Sequence, residues 1–168
     1  MVALSVDRLR ELLSYDPETG HFRWLVSRQG TGGKGSIAGN TSVYGYREIR
    51  VDYVLHKAHR LAWLYVHGAL PVNEIDHIDG NKANNRLSNL RIANRSQNTA
   101  NRRTPRADNQ LGVHGVSRSR NGFTARVMKD GVLYRLGTYD TVELASIAYR
   151  NKHAELYGDF SPFWGEAA

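Results

Sequence analysis

The sequence predicts an α+β chain, with small strands and helices through its first hundred residues and a three-stranded antiparallel sheet plus one helix at its end. Three observations predict it. Apolar residues recur at helical spacing in three segments, Leu4 to Leu13, His59 to Val66 and Leu144 to Leu156. Short strand-like runs lie between turn signals, most clearly around Asn121-Gly122 and Asp130-Gly131. Residues 101–110 carry Arg102, Arg103, Pro105 and Arg106 with almost no apolar content, which marks a linker between two halves.

The elements follow in order. Leu4 to Leu13 forms a short helix that breaks at the turn Asp16-Pro17-Glu18-Thr19-Gly20. His21 to Val26 is a strand, Gln29 to Gly39 a glycine-rich loop, and Tyr46 to Val51 with Tyr53 to His56 a hairpin turning near Asp52. A helix from His59 stops at Gly68, with Pro71 beyond it. Glu74 to His77 is a strand, Ile78 to Asn85 a polar loop, and Leu90 to Ala93 pairs back with the strand. Asn94 caps a further helix through its side-chain oxygen. After the linker, strands at 115–118, 123–128 and 132–139 precede a helix that opens at Thr141 and ends at Gly158. The expected domains are 1–101, with a hairpin-helix core at about 73–101, a basic linker at 102–111, and a module at 112–168.

A chain of 168 residues with 40% hydrophobic content is long enough for one ordinary domain or two small ones. It has no cysteine, which excludes disulfides, a thiolate nucleophile and Cys-ligated structural zinc. Any metal must sit on oxygen or imidazole. No apolar run approaches the roughly 20 residues that span a bilayer, and Met1 to Leu13 lacks the pattern of a signal peptide. The net charge of +7 is unevenly placed: residues 86–135 hold eleven Lys or Arg against Asp108 and Asp130. A basic stretch interleaved with Asn, Ser and Thr points to a phosphate polymer rather than a membrane surface.

The run Glu74-Ile75-Asp76-His77-Ile78-Asp79-Gly80-Asn81 continues into Asn84-Asn85-Arg86-Leu87-Ser88-Asn89-Leu90-Arg91 and then Ser96-Gln97-Asn98. Phosphodiester hydrolysis needs a deprotonated water and positive charge to offset the phosphoryl oxygens. A histidine base and a divalent ion supply both. Neighbours on a strand point to opposite faces, so Asp76 and His77 can serve one site only if the strand ends there, as the Ile78-Asp79-Gly80-Asn81 turn signal indicates. An Asp76 and Asn98 oxygen pair suits magnesium, a hard ion that keeps several waters. Asn81, Asn84 and Asn85 are assigned mainly to turn geometry, with Asn85 bracing the loop. His59 and Trp63 are assigned to helix packing; His56, His67, His114 and His153 show no partner spacing.

At these residues the chain resembles the HNH endonucleases of phage and homing type, whose ββα-metal (His-Me finger) core is a hairpin and a helix around one metal ion. The upstream His59-Arg60-Leu61-Ala62-Trp63 and Tyr15-Asp16-Pro17-Glu18-Thr19-Gly20 also resemble small phage members. The resemblance implies that His77 activates water, that Asn89 holds the His77 ring or the hairpin, and that Asp76 and Asn98 ligate the metal. The last motif position is His in many relatives and Asn98 here.

Gly115-Val116, Phe123 to Val127, Leu136-Gly137-Thr138-Tyr139-Asp140-Thr141 and Ala145 to Tyr149 resemble the Apetala-type (AP2/ERF-like) domain of plant ethylene-response factors. In that family the exposed sheet face lies in the DNA major groove. Strand alternation sets Phe123, Ala125 and Val127 on the helix side and Thr124, Arg126 and Met128 on the other; in the last strand Tyr134 and Leu136 face inward, Leu133 and Arg135 outward. Arg126 and Arg135 are therefore the leading DNA contacts. Arg118 and Arg120, at the first turn, are expected on the DNA backbone, and Arg102, Arg103 and Arg106 on the linker track phosphates.

These readings converge on a magnesium-dependent endonuclease, manganese being the alternative ion, acting on double-stranded DNA; the resemblance implies that it leaves a 5′ phosphate. A monomer or weak dimer is expected, soluble in the cytoplasm, that of a host cell if the chain is phage-encoded. The rival is a catalytically inactive DNA-binding regulator. An RNA-directed protein ranks last, because the stacked-aromatic signature of single-strand RNA modules is missing.

Overall fold

The computed structural model describes residues 4–27 and 33–165. The part of the expected glycine-rich loop at 29–32 lies outside the described residues. The chain divides into two compact units, Met1–Ala93 and Asn94–Ala168.

In the first unit, α1 (Val6–Leu12) starts at Ser5, whose hydroxyl accepts the Arg8 amide hydrogen and so satisfies one of the free N–H groups of the first turn. The chain then enters β1 (Leu13–Asp16), which pairs antiparallel with β2 (His21–Trp24). The expected helix runs to Leu13 with only a turn beyond. The correction follows from the alternation at Leu13 and Tyr15, which puts both into the core opposite Trp24 and Phe22. A second sheet orders β3 (Asn40–Thr41), β4 (Arg47–Val51) and β5 (Val54–Lys57). The β4–β5 turn is made by Asp52 and Tyr53, both at positive φ. Helix α2 (Ala58–His67) ends at Gly68 in the left-handed conformation. Finally β6 (Glu74–His77) pairs antiparallel with β7 (Leu90–Ala93), in the register Asp76 opposite Arg91 and His77 opposite Leu90. One core serves the unit. Leu9, Leu13, Phe22, Ile49, Val51, Ala58, Leu61 and Ala62 are fully or nearly fully buried in it, and Ile75 and Leu90 bring the β6–β7 hairpin onto the same cluster.

The second unit begins with α3 (Arg95–Ala100), which is closed by a capping box: Asn94 accepts from the Gln97 amide, and the Gln97 side chain accepts from the Asn94 amide. The sequence groups this helix with the hairpin. In the structure it falls in the second unit, where it packs against the 158–160 turn and the Ser96 hydroxyl meets that of Tyr157 at 3.4 Å. No helix or strand forms between residues 101 and 115. Then β8 (Val116–Ser119), β9 (Gly122–Lys129) and β10 (Val132–Tyr139) form an antiparallel sheet in the order β10-β9-β8, backed by α4 (Val142–Tyr157). Arg120 and Asn121 make the first two-residue turn, one residue earlier than the Asn121-Gly122 signal places it, since Gly122 is already paired with Ser119. The second turn is Asp130-Gly131, both at positive φ, as a two-residue hairpin loop that follows strand twist requires. Ala125 and Val127 are buried, and Val116, Ala125 and Ala145 form the core with Phe123, Leu136, Tyr139 and Tyr149 around it. Among the described residues no helix is long and apolar enough to cross a membrane.

Gly20 is where the amino-terminal turn meets the later loop. Its φ is +73°, and a β-carbon there would collide with the Asn85 carbonyl carbon and the Arg86 amide nitrogen. Gly68 also has positive φ, yet nothing lies within 4 Å of its absent β-carbon. Gly20→Ala is expected to cost about 2–5 kcal/mol, from strain plus overpacking, whereas Gly68→Ala costs about 1 kcal/mol from strain alone. Chemical denaturation of the two variants measures the difference.

His153 supplies a pH dependence. Its ring lies among Tyr149, Tyr157 and Phe163, with Nδ1 2.7 Å from the Ser161 hydroxyl oxygen. Burial first, and His114 second, push its pKa down to about 4. An unfolded histidine titrates near 6.5, about the ordinary value. Between those values the unfolded chain binds the extra proton, so stability falls as pH drops from about 6.5 to about 4 and is level above that window. Melting temperatures across this range should decline, and His153→Phe should flatten part of the decline. An unchanged slope would show that His153 does not report on folding.

Candidate functional site

The β6–β7 hairpin and the loop it encloses carry most of the chemistry the sequence predicts. β6 ends at His77, and Asp76 and His77 are each only 5% exposed. Asp76 accepts from Arg91 Nε at 3.0 Å, from directly across the hairpin. His77 turns to another neighbour: its Nε2 lies 3.2 Å from Asn85 Oδ1. The Asn85 amide nitrogen donates to the Ala83 carbonyl at 3.1 Å, which leaves its oxygen for the ring. An amide oxygen can only accept, so Nε2 carries the hydrogen, and in the neutral ring Nδ1 holds the lone pair.

Asn89 makes its side-chain hydrogen bonds within the loop. Its side-chain oxygen accepts from the Asp79 amide at 3.0 Å, and its nitrogen donates to Asp79 Oδ1 at 2.9 Å and to the Asn84 carbonyl at 2.8 Å. Asp79 also takes the Asn84 side-chain amide at 2.7 Å and the Asn81 backbone amide at 2.8 Å. Of the two roles the resemblance allows for Asn89, these contacts describe the one that holds the hairpin, and Asn85 supplies the ring contact. Burial works to raise the Asp79 pKa, but the hydrogen bonds from Asn84, Asn89 and the Asn81 amide outweigh it and hold the carboxyl below its ordinary range.

Asn85 is 1% exposed, among the most deeply buried polar side chains of the chain, and it is fastened from outside the hairpin as well. The Tyr15 hydroxyl donates to its carbonyl at 2.7 Å, and the Leu87 amide donates to the Pro17 carbonyl at 3.1 Å. The Tyr15–Gly20 segment thus clamps the loop that orients His77. Burial, with a smaller contribution from Asp16, pushes the Tyr15 hydroxyl up to about 12, so it remains a donor at any physiological pH.

Behind His77 lies His59 of α2. The two rings meet edge to face with centroids 4.9 Å apart, and Tyr46 sits 5.5 Å from His59 and 6.2 Å from His77. His59 Nδ1 is buried without a hydrogen-bond partner among the described residues. Burial, then the charges of His77, Lys57 and Arg60, bring its pKa down to about 3. His77 is also shifted down, because burial outweighs the upward pull of Asn85, Asp76 and Asp79, while Lys82 adds to the lowering. Both imidazoles are therefore neutral near pH 7, and a neutral imidazole can accept a proton.

Sequence reasoning assigns His59 to packing and Asn85 to turn geometry. The structure brings both onto His77. The available signal for His59 was the His59-Arg60-Leu61-Ala62-Trp63 block quoted for its resemblance; nothing local set Asn85 apart from Asn81 and Asn84. Asn98 lies on α3, half-buried, its amide donating to the Asn94 carbonyl at 2.9 Å. Asp76 and His77 belong to the first unit and Asn98 to the second. For a metal, the donors expected are one carboxylate and one amide oxygen. Among the described residues no three His, Cys, Asp or Glu side chains form a cluster; carboxylate and amide oxygens are donors that a hard ion such as magnesium takes, alongside water and phosphate.

The expected DNA-contacting arginines all lie in the second unit. Arg126 and Arg135 are exposed and are register partners on the sheet face away from α4, with Met128 and Leu133 beside them. Arg118 is exposed too, but it shares the register row of Phe123 and lies over that ring at 5.3 Å, on the helix side at the sheet edge. Arg120 is in the β8–β9 turn, and Arg102, Arg103 and Arg106 are exposed on the segment after α3.

Known proteins resemble the chain. A family model described as HNH endonuclease covers residues 56–100. A protein of Acanthamoeba polyphaga mimivirus named "Uncharacterized HNH endonuclease L560" is 37% identical over 115 residues, spanning 66% of this chain and 59% of that protein. The chain thus matches less than two thirds of the length of that relative. Protein 3.8 of Escherichia phage T7 is 33% identical over 114 residues, spanning 66% of this chain and 93% of the phage protein. Among solved structures, that of the HNH homing endonuclease I-HmuI, titled for its DNA binding and cleavage, aligns with a TM-score of 0.44 and 23% identity over 60% of this chain and 57% of that one. With the family motif carried by the β6–β7 hairpin and a relative matched over nearly its whole length, the chain belongs to the HNH endonuclease family.

Proposed function

We propose that the chain is a metal-dependent DNA endonuclease in which His77 is the general base and the sheet of the second unit docks on the duplex. The observation that carries this reading is the state of His77: buried at a strand end, neutral near pH 7, and fixed through Nε2 by Asn85 so that Nδ1 holds the lone pair. In this reading Nδ1 takes a proton from water as the water oxygen bonds to phosphorus. The bond from phosphorus to the 3′ oxygen breaks, the 3′ oxygen gains a proton from solvent, and the phosphate stays on the 5′ side. Asp76 would offer a carboxylate oxygen to a divalent cation, magnesium by the hardness of that oxygen, and the ion would supply positive charge to the phosphoryl oxygens. Arg91 fixes the Asp76 carboxylate from across the hairpin.

Docking rests on the sheet. Arg126 and Arg135 face each other directly across two strands, an arrangement that destabilises a sheet in isolation and becomes favourable against a polyanion. Arg118, Arg120, Arg102, Arg103 and Arg106 extend that charge along the edge and the linker.

The direct test incubates purified protein with supercoiled and linear DNA, with magnesium or with chelator, and maps the ends. His77→Ala should lower cleavage by about 10²–10⁴-fold, the usual worth of a general base, with duplex affinity nearly unchanged. Full activity in that variant removes His77 from the mechanism, and DNA binding with no metal-dependent cutting in the parent protein leaves the regulator reading. Separately, Arg126→Gln with Arg135→Gln should weaken duplex binding and flatten its dependence on log salt by about 1 per lost phosphate contact. Unchanged affinity would exclude the sheet face as the anchor.

A further inference from the structure

Two lysines converge on one ring beside the candidate base. Lys57, just ahead of α2, has its Nζ 4.2 Å from the centre of the Tyr46 ring, and Lys82, in the loop between β6 and β7, has its Nζ 4.8 Å from the same point. That ring is the one 6.2 Å from His77. Neither lysine has an acidic partner among the described residues. Lys82 is nonetheless held: its Nζ donates to the Tyr44 carbonyl at 3.2 Å, and its stem passes over Gly45, where an added β-carbon would lie 3.9 Å from Lys82 Cδ.

Holding a long, exposed, charged side chain in place costs rotamer entropy, and bringing a second cation to the same ring adds repulsion. A lysine in a purely solubilising role would extend into water instead. Stacking on Tyr46 offsets part of the cost, because the face of an aromatic ring attracts a cation. What remains is two ammonium groups presented together, neither in an ion pair among the described residues, next to the imidazole proposed to act on a phosphodiester.

We propose that Lys57 and Lys82, seated on Tyr46, form a clasp for the nucleic-acid backbone immediately beside His77. The clasp grips phosphate oxygens of the strand to be cut and so places the scissile bond against the imidazole; it rests on the endonuclease reading for that placement. Its cations lie outside the basic stretch 86–135 that composition marks, so the phosphate-binding footprint extends further into the first unit, to the surroundings of His77. Lysine suits such a grip, because its compact ammonium binds phosphate as a point charge and makes no demand for planar, two-pronged geometry.

The experiment is a salt titration of duplex binding in chelator, so that nothing is cut, with Lys57→Gln, Lys82→Gln, the double variant and Lys57→Arg/Lys82→Arg. Lys152→Gln, which removes a lysine paired with Glu155 on α4, is the control. Each glutamine variant should reduce the slope of log affinity against log salt by about 1, the double variant by about 2, and the arginine pair should restore it. The control should keep the parent slope. In magnesium, the glutamine variants should raise KM more than they lower kcat. A parent-like slope in the double variant, with folding verified by circular dichroism, would overturn the clasp even if the parent protein cuts DNA. A reduced slope in a protein that never cuts would keep the clasp and reject the endonuclease reading instead.

Discussion

The site depends on the docking of the Tyr15–Gly20 turn against the segment Asn85–Leu87. One residue, Asn85, is held at both ends: its carbonyl by the Tyr15 hydroxyl and its amide oxygen by the His77 ring. Because the contact is buried, it is stronger than the same bonds in water and more costly to break, since an unsatisfied carbonyl or hydroxyl would be stranded. Gly20 lets the two backbones approach at a distance no other residue permits. The turn is itself rigid: Asp16 accepts from the Thr19 hydroxyl at 2.7 Å and from the Glu18 amide at 2.9 Å. The Thr19 bond, followed by that of Glu18, holds its carboxyl below the ordinary range. The orientation of a histidine at position 77 thus traces to a turn some sixty residues earlier in the chain.

Within the hairpin a single carboxylate replaces regular structure. Residues 78–86 form neither helix nor strand, so their backbone groups need other partners. Asp79 gathers the Asn84 and Asn89 side chains and the Asn81 amide, and the Asn81 side chain in turn accepts from the Ala83 amide at 3.1 Å. This accounts for the density of asparagine in the motif. Asparagine is the short side chain that can donate and accept at once, so a loop built on it can satisfy its own backbone around one aspartate.

What could be read in the sequence was whatever depends on neighbours along the chain. The β6 and β7 bounds, the cap at Asn94, the β9–β10 hairpin at Asp130-Gly131 and the burial of Ala125 and Val127 all follow from periodicity and turn chemistry, which are local. β1 was hidden because Leu13 ends a helical stripe and begins a strand, and only its partner β2 decides between them. β3 is two residues long and exists through its pairing with β4. The contacts of the site were hidden for the same reason. His59 and Tyr46 meet His77 only because α2 and the entry to β4 pack against the hairpin, and no spacing within the chain encodes that meeting. Asn85 presented the harder case: its burial distinguishes it from Asn81 and Asn84, and burial is a tertiary property.

The distribution of charge around His77 separates two roles that a single histidine would otherwise have to share. A protonated imidazole would attract phosphate but could not accept a proton from water; a neutral one can accept but attracts nothing. Burial settles the matter for both His77 and His59, holding each below its ordinary pKa, so neither contributes lasting positive charge near pH 7. Cationic charge comes instead from Lys57 and Lys82, whose exposed side chains lie on the Tyr46 ring. The second unit repeats the division at larger scale, with Ala125 and Val127 packed beneath α4 and Arg126 and Arg135 on the opposite face of the same strands. In both places the apolar interior sets the geometry and the cations stand at its edge. An anionic polymer can then be attracted from the surface while the group that would act on it stays uncharged within.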